Sequence, residues 1–311
     1  MTHPKTLTEA IRYYSDELTC IKAVAELRWE NGIPVCPKCQ TAEGDRKHYW
    51  LANVKRWKCY SCRKQFSVKV GSIFEDSALS LDKWLCALWM LTNCKNGVSS
   101  YEVSRATGMG QKAAWFVLQR LRHTMNDTFT GMLDGTVQID ECYIGGKPIN
   151  MHEKRRQQIG QHDHKTAVMG MIETGTRQAR AHVIPNAKRE TLQKAILERV
   201  GFGSTLHTDS AAGYDRMDMR YIHEQVNHAN EYVRGNVSTQ AVENFWSCLK
   251  RTLNGTYIAV EAFHMNKYLA EQCFRFNNRI GMNDGDRFVK ALSQVGGKRL
   301  TWKELTGKEA A

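Results

Sequence analysis

The chain has 311 residues, 42% hydrophobic and 24% charged, a globular balance that excludes long disorder and leaves room for several modules. Its longest apolar run, Trp84 to Leu91, is far short of the ~20 residues a membrane helix needs, and the start lacks the apolar core of a signal peptide, so the cytosol is the expected compartment. A formal net charge of +12 favours a polyanionic partner, and without an amphipathic basic helix that partner is nucleic acid rather than anionic lipid.

Much of the charge lies early. Between Cys36 and Val70 nine Lys or Arg stand against two acids. The same stretch holds Cys36-Pro-Lys-Cys39 and Cys59-Tyr-Ser-Cys62, two knuckles whose sulfurs complete a tetrahedral zinc site of the ribbon kind. So small a module cannot build an adequate core, and the zinc is structural. The other six cysteines, Cys20, Cys86, Cys94, Cys142, Cys248 and Cys273, have no ligand spacing and read as buried small hydrophobes. His48, Tyr49, Trp50, Trp57 and Phe66 interleave with Arg46, Lys47, Lys55, Arg56 and Lys58, a mixture suited to phosphate contact and base stacking. Packing of these aromatics on the ribbon itself is the plainer alternative.

From Leu81 to Met125 the pattern is helical. Trp84, Leu85, Leu88, Trp89 and Thr92 recur at helical spacing, and Asn96-Gly97 ends the run. Ser99-Ser-Tyr-Glu102 fits a capping box, and the helix it opens stops at Gly108-Met-Gly110. Gln111 to Arg122 then places Trp115, Leu118 and Leu121 inward and Lys112, Arg120 and Arg122 outward. Two short helices around a glycine turn give a helix-turn-helix outline, with Gln111, Lys112 and Arg120 as candidate DNA contacts, although helical hairpins without DNA contacts share this pattern.

After Gly135 comes a strand, Thr136 to Ile144, interrupted by Asp140 and Glu141. Side chains alternate along a strand, so these two acids face opposite sides and strand geometry alone does not choose between them. Strands around Thr166–Ile172 and Ala179–Ile184, a helix over Arg189–Val200, a strand Thr205–Thr208 ending at Asp209, and a helix Ser238–Lys250 carrying Glu243 follow. That order is the one of a ribonuclease H-like mixed sheet, in which acids on the first and fourth strands and on the late helix converge. Such a cluster repels itself unless cations occupy it, and all-oxygen ligands favour magnesium or manganese.

The stretches Ile139-Asp-Glu-Cys-Tyr-Ile-Gly-Gly-Lys147, His207-Thr-Asp-Ser210 and Val242–Tyr257, with Phe274-Arg-Phe-Asn-Asn-Arg279, resemble the DDE transposases of bacterial insertion sequences, most closely the ISXO-like group with an N-terminal zinc ribbon. The likeness runs from Cys36 to Arg279. It implies that Asp140, Asp209 and Glu243 form a catalytic triad holding two magnesium or manganese ions, with Asp140 selected over Glu141 by the family pattern alone. It matches Lys250 to a basic residue seven positions after the Glu, and the two-turn spacing independently puts Glu243 and Lys250 on one helix face with Trp246 between them.

The expected domains are 1–75 (helix and zinc ribbon), 76–130 (helix-turn-helix-like), 131–285 (ribonuclease H-like catalytic domain) and 286–311 (C-terminal tail). The implied activity is cleavage of double-stranded DNA at an element's terminal inverted repeats and transfer of the cut strand into target DNA. Lys250, Arg251, Arg275 and Arg279 would grip phosphates, and joining two ends implies at least a homodimer on DNA in the nucleoid. A nuclease or junction resolvase of the same fold, a zinc-dependent DNA-binding regulator and a recombinase with a Tyr nucleophile are the rivals. Glu141 and Asp215 read as solvated acids, and His162-Asp-His164 as a solvated turn; His228 and His264 are not placed by the sequence.

Overall fold

The computed structural model describes residues 3–125, 131–146, 153, 165–209, 212–215, 217–226, 233–234 and 237–307. It divides the chain into two compact units, one of Met1–Asn126 with Ile280–Ala311 and the other of Asp127–Arg279. His162 to His164, Lys147 and His228 lie outside the described residues. Among the described residues no helix is long and apolar enough to cross a membrane.

The first unit opens with α1 (Leu7–Tyr13) and α2 (Glu17–Arg28); α2 begins where Asp16 Oδ2 accepts from the Thr19 backbone N–H at 2.8 Å. The ribbon follows as an antiparallel sheet of β1 (Tyr49–Leu51), β2 (Arg56–Lys58) and β3 (Gln65–Phe66). Trp57 stacks on Phe66 with ring centroids 5.8 Å apart, Trp29 meets Trp57 edge-on at 5.4 Å, and the Arg28 guanidinium donates to the carbonyls of Val68 and Val70. Then come α3 (Leu81–Asn93), α4 (Ser100–Thr107) and α5 (Gln111–Thr124). The capping box forms as expected: Glu102 N–H donates to Ser99 Oγ at 3.2 Å and Ser99 N–H to Glu102 Oε2 at 2.7 Å. Gly108 ends α4 in the left-handed region, with φ 67°. Two C-terminal helices, Asp284–Leu292 and Trp302–Thr306, also belong to this unit, and Phe288 packs against Trp89 at 5.2 Å.

One expectation about α5 is corrected. Arg120 and Arg122 point inward, 4% and 1% exposed. The Arg120 guanidinium lies over the rings of Trp84 and Phe116, at 5.3 and 5.4 Å, and donates to the Glu75 carbonyl at 2.7 Å. Arg122 sits four residues after buried Leu118, so helical spacing carries it to the same face. The cations of this helix that were expected to read DNA thus partly serve its own packing.

The second unit is a five-stranded mixed sheet in the order β6-β5-β4-β7-β8, with β4 (Thr136–Ile144), β5 (Thr166–Glu173), β6 (Ala179–Val183), β7 (Thr205–Asp209) and β8 (Ile222–Val226). β4, β5 and β6 pair antiparallel; β7 and β8 add in parallel beside β4. Three antiparallel strands followed by two parallel ones, with the first strand central, is the ribonuclease H-like arrangement. β8 was not foreseen in the stretch after Asp209.

Alternation along the strands sorts the core into two layers. Val137, Ile139, Met169, Met171 and Leu206 pack on one face with Leu192 and Ile196 of α6 (Arg189–Leu197). Cys142, Val168 and Ile172 pack on the other with Val242, Phe245, Trp246 and Leu249 of α7 (Gln240–Thr252) and Leu269 of α8 (Met265–Asn277). The buried set of α7 recurs every three to four residues, a helix with one apolar stripe.

Candidate active site and zinc centre

The layers decide what the strand alone could not. Cys142 packs in the α7 layer and Ile139 in the α6 layer, so Asp140 faces α7 and Glu141 faces away from it. On β7 Leu206 belongs to the α6 layer, which turns His207 and Asp209 toward α7. The parallel ladder pairs Gln138 with His207, and two residues further along each strand stand Asp140 and Asp209, on one face and at one level.

Helix α7 is laid along β4 by side-chain contacts. The Ala241 N–H donates to Gln138 Oε1 at 2.8 Å, the Trp246 indole Nε1–H donates to Asp140 Oδ2 at 2.9 Å, and further along the Lys250 charge acts on the Cys142 thiol. Nine helical residues rise about 13.5 Å and four strand residues about 13 Å, so the two run in step. Glu243, between Ala241 and Trp246, is exposed on the first turn, where its Oε1 accepts from Thr239 Oγ1 at 2.9 Å. Gly170 is the β5 partner of Asp140; a Cβ there would come within 2.6 Å of Trp246 Cζ2, so the absent side chain is what lets the indole lie over β5 and reach the acid.

Burial raises the Asp140 carboxyl above its ordinary 3.8, against the Trp246 hydrogen bond, and the charges of Asp209 and Glu243 raise it further. Asp140 therefore feels both other carboxylates. Among the described residues, however, only the four ribbon cysteines bring all their ligand atoms within 4.8 Å of one another; the acids are not gathered to that distance. A site built of carboxylates that repel is chemically suited to hard divalent cations.

On the opposite face the Glu141 carboxylate accepts from the hydroxyl of fully buried Tyr214. Burial raises the Glu141 carboxyl, and Asp209 and Asp140 add to the shift while the Tyr214 hydrogen bond opposes it. Glu141 is thus a partnered, half-buried acid rather than the solvated one expected. The bond ties β4 to the short turn that follows Asp209. Asp215 is exposed and pairs with Arg189 at 2.9 Å. Sequence reading passed over Gly170, Gln138 and Tyr214; a glycine inside an otherwise apolar strand was the one available signal.

In the ribbon Cys36, Cys39, Cys59 and Cys62 form the cluster, with Sγ–Sγ separations of 3.7 Å for Cys36–Cys62 and for Cys39–Cys59. A tetrahedron with Zn–S bonds of about 2.3 Å has edges of about 3.8 Å, so the sulfurs stand where a zinc would hold them. The knuckles are built alike. Cys36 N–H donates to Thr41 O and Cys59 N–H to Lys64 O, both at 2.9 Å, and Gln40 and Arg63 follow the second cysteines with φ 57° and 60°.

The candidate DNA contacts divide. Arg46, Lys47 and Arg56 are exposed, while Lys58 and Lys55 are half-buried and Lys55 pairs with Glu17. Tyr49 and Trp50 are exposed, whereas His48 and Phe66 are buried in the ribbon's packing. Gln111 donates to Ser100 Oγ at 2.8 Å and Lys112 lies over Trp302 at 4.9 Å. Arg251 is exposed, as is Arg279, which stacks on Phe276 at 3.7 Å. Arg275, expected to grip phosphate, is instead buried, paired with Glu271 and donating to Gln272 Oε1 at 2.8 Å. It faces inward because its helical neighbours Glu271 and Phe274 do.

Sheet order, acid placement and cysteine cluster together define a class: a ribonuclease H-like α/β domain joined in one chain to a zinc ribbon. Residues 132–277 match the ISXO2-like transposase domain and residues 15–65 the transposase zinc-ribbon domain, and the chain belongs to the ISXO2-like transposase family. It is 25% identical over 299 residues to an uncharacterized protein in transposable element ISH50 of Halobacterium salinarum, covering 92% of this chain and 98% of that protein. An uncharacterized transposase-like protein of Haemophilus influenzae is 32% identical over 97 residues, 31% of this chain and 78% of that one. A solved chain of the simian T-cell lymphotropic virus intasome in complex with PP2A regulatory subunit B56 gamma gives TM-score 0.28 at 12% identity, covering 55% of this chain and 63% of its own, a likeness too weak to bear on fold or function.

Proposed function

We propose that this insertion-sequence transposase cleaves DNA at the ends of its element and joins the freed strand to target DNA, with Asp140, Asp209 and Glu243 as the metal-holding acids. The observation that carries the reading is the charge crowding on Asp140, whose carboxyl is raised by burial and by both other acids across one face of the sheet. Two magnesium or manganese ions held there would activate the attacking oxygen and stabilise the leaving one.

In the reaction, water attacks a phosphodiester at the element end and releases a 3′-hydroxyl; that hydroxyl then attacks a target phosphodiester, displacing a second 3′-oxygen. The chain's own groups orient these partners. Trp246 Nε1–H and the Glu141 backbone N–H each orient one Asp140 oxygen, whose remaining lone pairs would ligate, and Lys250, seven residues after Glu243 on the exposed side of α7, holds a phosphate. Arg251 and Arg279 extend the cationic surface of this unit, and Arg46, Lys47, Arg56 and Lys112 offer sequence-independent phosphate contacts in the other. Joining two ends calls for a homodimer or larger assembly on the nucleoid, in the cytoplasm.

The test incubates purified protein with a duplex bearing the terminal repeat that brackets the gene, in magnesium, and resolves cut and joined products. Asp209→Asn should abolish both products while retaining DNA binding. Cleavage without joining by the unmodified chain would leave a nuclease, and unaltered cleavage by the variant would remove the metal mechanism.

A further inference from the structure

Past Lys250 the backbone leaves regular helix. Residues Leu253–Tyr257 form a π-turn, and the Ala259 N–H donates to the Tyr257 carbonyl at 2.6 Å, closing a three-residue γ-turn around Ile258. Ile258 has φ 62° and ψ −61°, the strained, rarely populated form of that turn. For a β-branched residue this conformation is a genuine outlier. Packing does not repay this, because the Ile258 side chain is 82% exposed. Phe263, five residues on, is also exposed.

The base of this projection is firmly held. The Tyr257 hydroxyl donates to Glu271 Oε1 at 2.5 Å, its ring meets Tyr268 at 4.7 Å, and Leu253 and Met265 are buried. An exposed apolar tip on a rigid, strained turn suits insertion and does not suit solvent. Its surroundings are cationic: exposed Lys250 and Arg251 precede it, and the Lys267 amine lies over Phe263 at 5.9 Å, against the single acid Glu261 between them. Polyanion, rather than another apolar protein surface, is the complementary partner.

We infer that Ile258 is a wedge that enters duplex DNA at a base step several base pairs from the cleaved phosphate, unstacking it while Lys250, Arg251 and Lys267 hold the flanking backbone. Apolar side chains inserted in this way kink DNA at the cost of stacking, which is recovered in added contacts. Fifteen residues of mostly helical rise put Ile258 about 20 Å from Glu243, roughly six base pairs along B-form DNA. The inference rests on the proposed DNA cleavage at the same face.

The experiment uses the full chain carrying Asp209→Asn, without divalent metal, so that no signal depends on cutting. The probe is the terminal-repeat duplex with 2-aminopurine substituted singly along it. Binding should raise the fluorescence at one or two adjacent positions. Adding Ile258→Ser should abolish that rise and weaken binding about tenfold, the scale of one lost stacking contact. Ile258→Gly, which relieves the strain, should retain or raise Tm and still lose the rise, separating a wedge from a folding role. A rise that persists in both variants overturns the wedge, as does a loss of self-association in Ile258→Ser with the fluorescence response intact, which would assign the tip to contact between copies. Failure of the Asp209→Asn chain to bind the duplex at all would strike the DNA reading itself, a result distinct from binding without unstacking.

Discussion

The indole nitrogen of Trp246 donates to Oδ2 of Asp140 at 2.9 Å, across the space vacated by the missing side chain of Gly170. This contact joins packing to chemistry. Trp246 belongs to the buried stripe of α7, so the forces that seat the helix on the sheet also orient the acid and bring Glu243 above it.

Gly170→Ala should therefore be costly for so small a change. Its Cβ would meet two indole carbons at 2.6 and 2.7 Å and Val242 Cγ2 at 3.2 Å, atoms of a packed core with little room to yield. Overpacking of this kind costs about 1–3 kcal/mol, a Tm fall of several degrees for a domain of this size. Thermal unfolding by circular dichroism measures it, and an unchanged Tm would show that the indole can move aside.

The Tyr214–Glu141 bond should be a coupled pair. Tyr214→Phe leaves a half-buried carboxylate without its donor, which costs about 1–3 kcal/mol. The same change in a Glu141→Gln background should cost at least about 1 kcal/mol less, because the stranded group is then uncharged. Urea unfolding of the four proteins gives the coupling energy; additivity would mean that the hydroxyl does not restrain the acid.

These examples mark what the sequence made legible. Cysteine spacing, the Ser99–Glu102 box and the strand ending at Asp209 are local signals, and local signals predict elements well. The orientation of Asp140 against Glu141 needed the far side of the sheet: alternation separates the two acids, but only the helix containing Trp246 says which side is which. Arg120 and Arg275 were misplaced because charge was read as exposure, whereas each is buried beside aromatic or acidic partners. For Arg120 those partners include Trp84, distant in sequence and invisible to a helical wheel of α5 alone. The strand Ile222–Val226 has exposed Ile222 and Glu224 at the sheet edge and so lacks the clean apolar alternation by which strands are recognised.

Zinc should be retained through purification and should be required for the ribbon. The four sulfurs are spaced for it, and the strands around them are only two or three residues long. Chelation, or Cys36→Ser, should release stoichiometric zinc and change the fluorescence of Trp50 and Trp57, which lie 4.8 Å apart at ring centroids. Metal analysis that finds iron or nothing in a folded ribbon would contradict this.

His182, on β6, gives the second unit a defined acid sensitivity. Burial lowers its pKa from 6.5 to about 4, and the Arg199 charge adds to the effect. A folded-state value below the unfolded one contributes stability that is present above about pH 6.5 and is lost as pH falls toward 4. His182→Gln should flatten the stability–pH curve across that window, by about 2–3 kcal/mol at its acid end. Parallel curves for the two proteins would place the acid sensitivity elsewhere.

Diffraction at the manganese edge from crystals of the chain soaked in manganese shows whether the three acids share a metal. Anomalous density ligated by oxygens of Asp140, Asp209 and Glu243 is expected, and none there in Asp209→Asn. Ordered carboxylates that stay apart with no manganese between them, under conditions where the chain cuts DNA, would contradict a shared site.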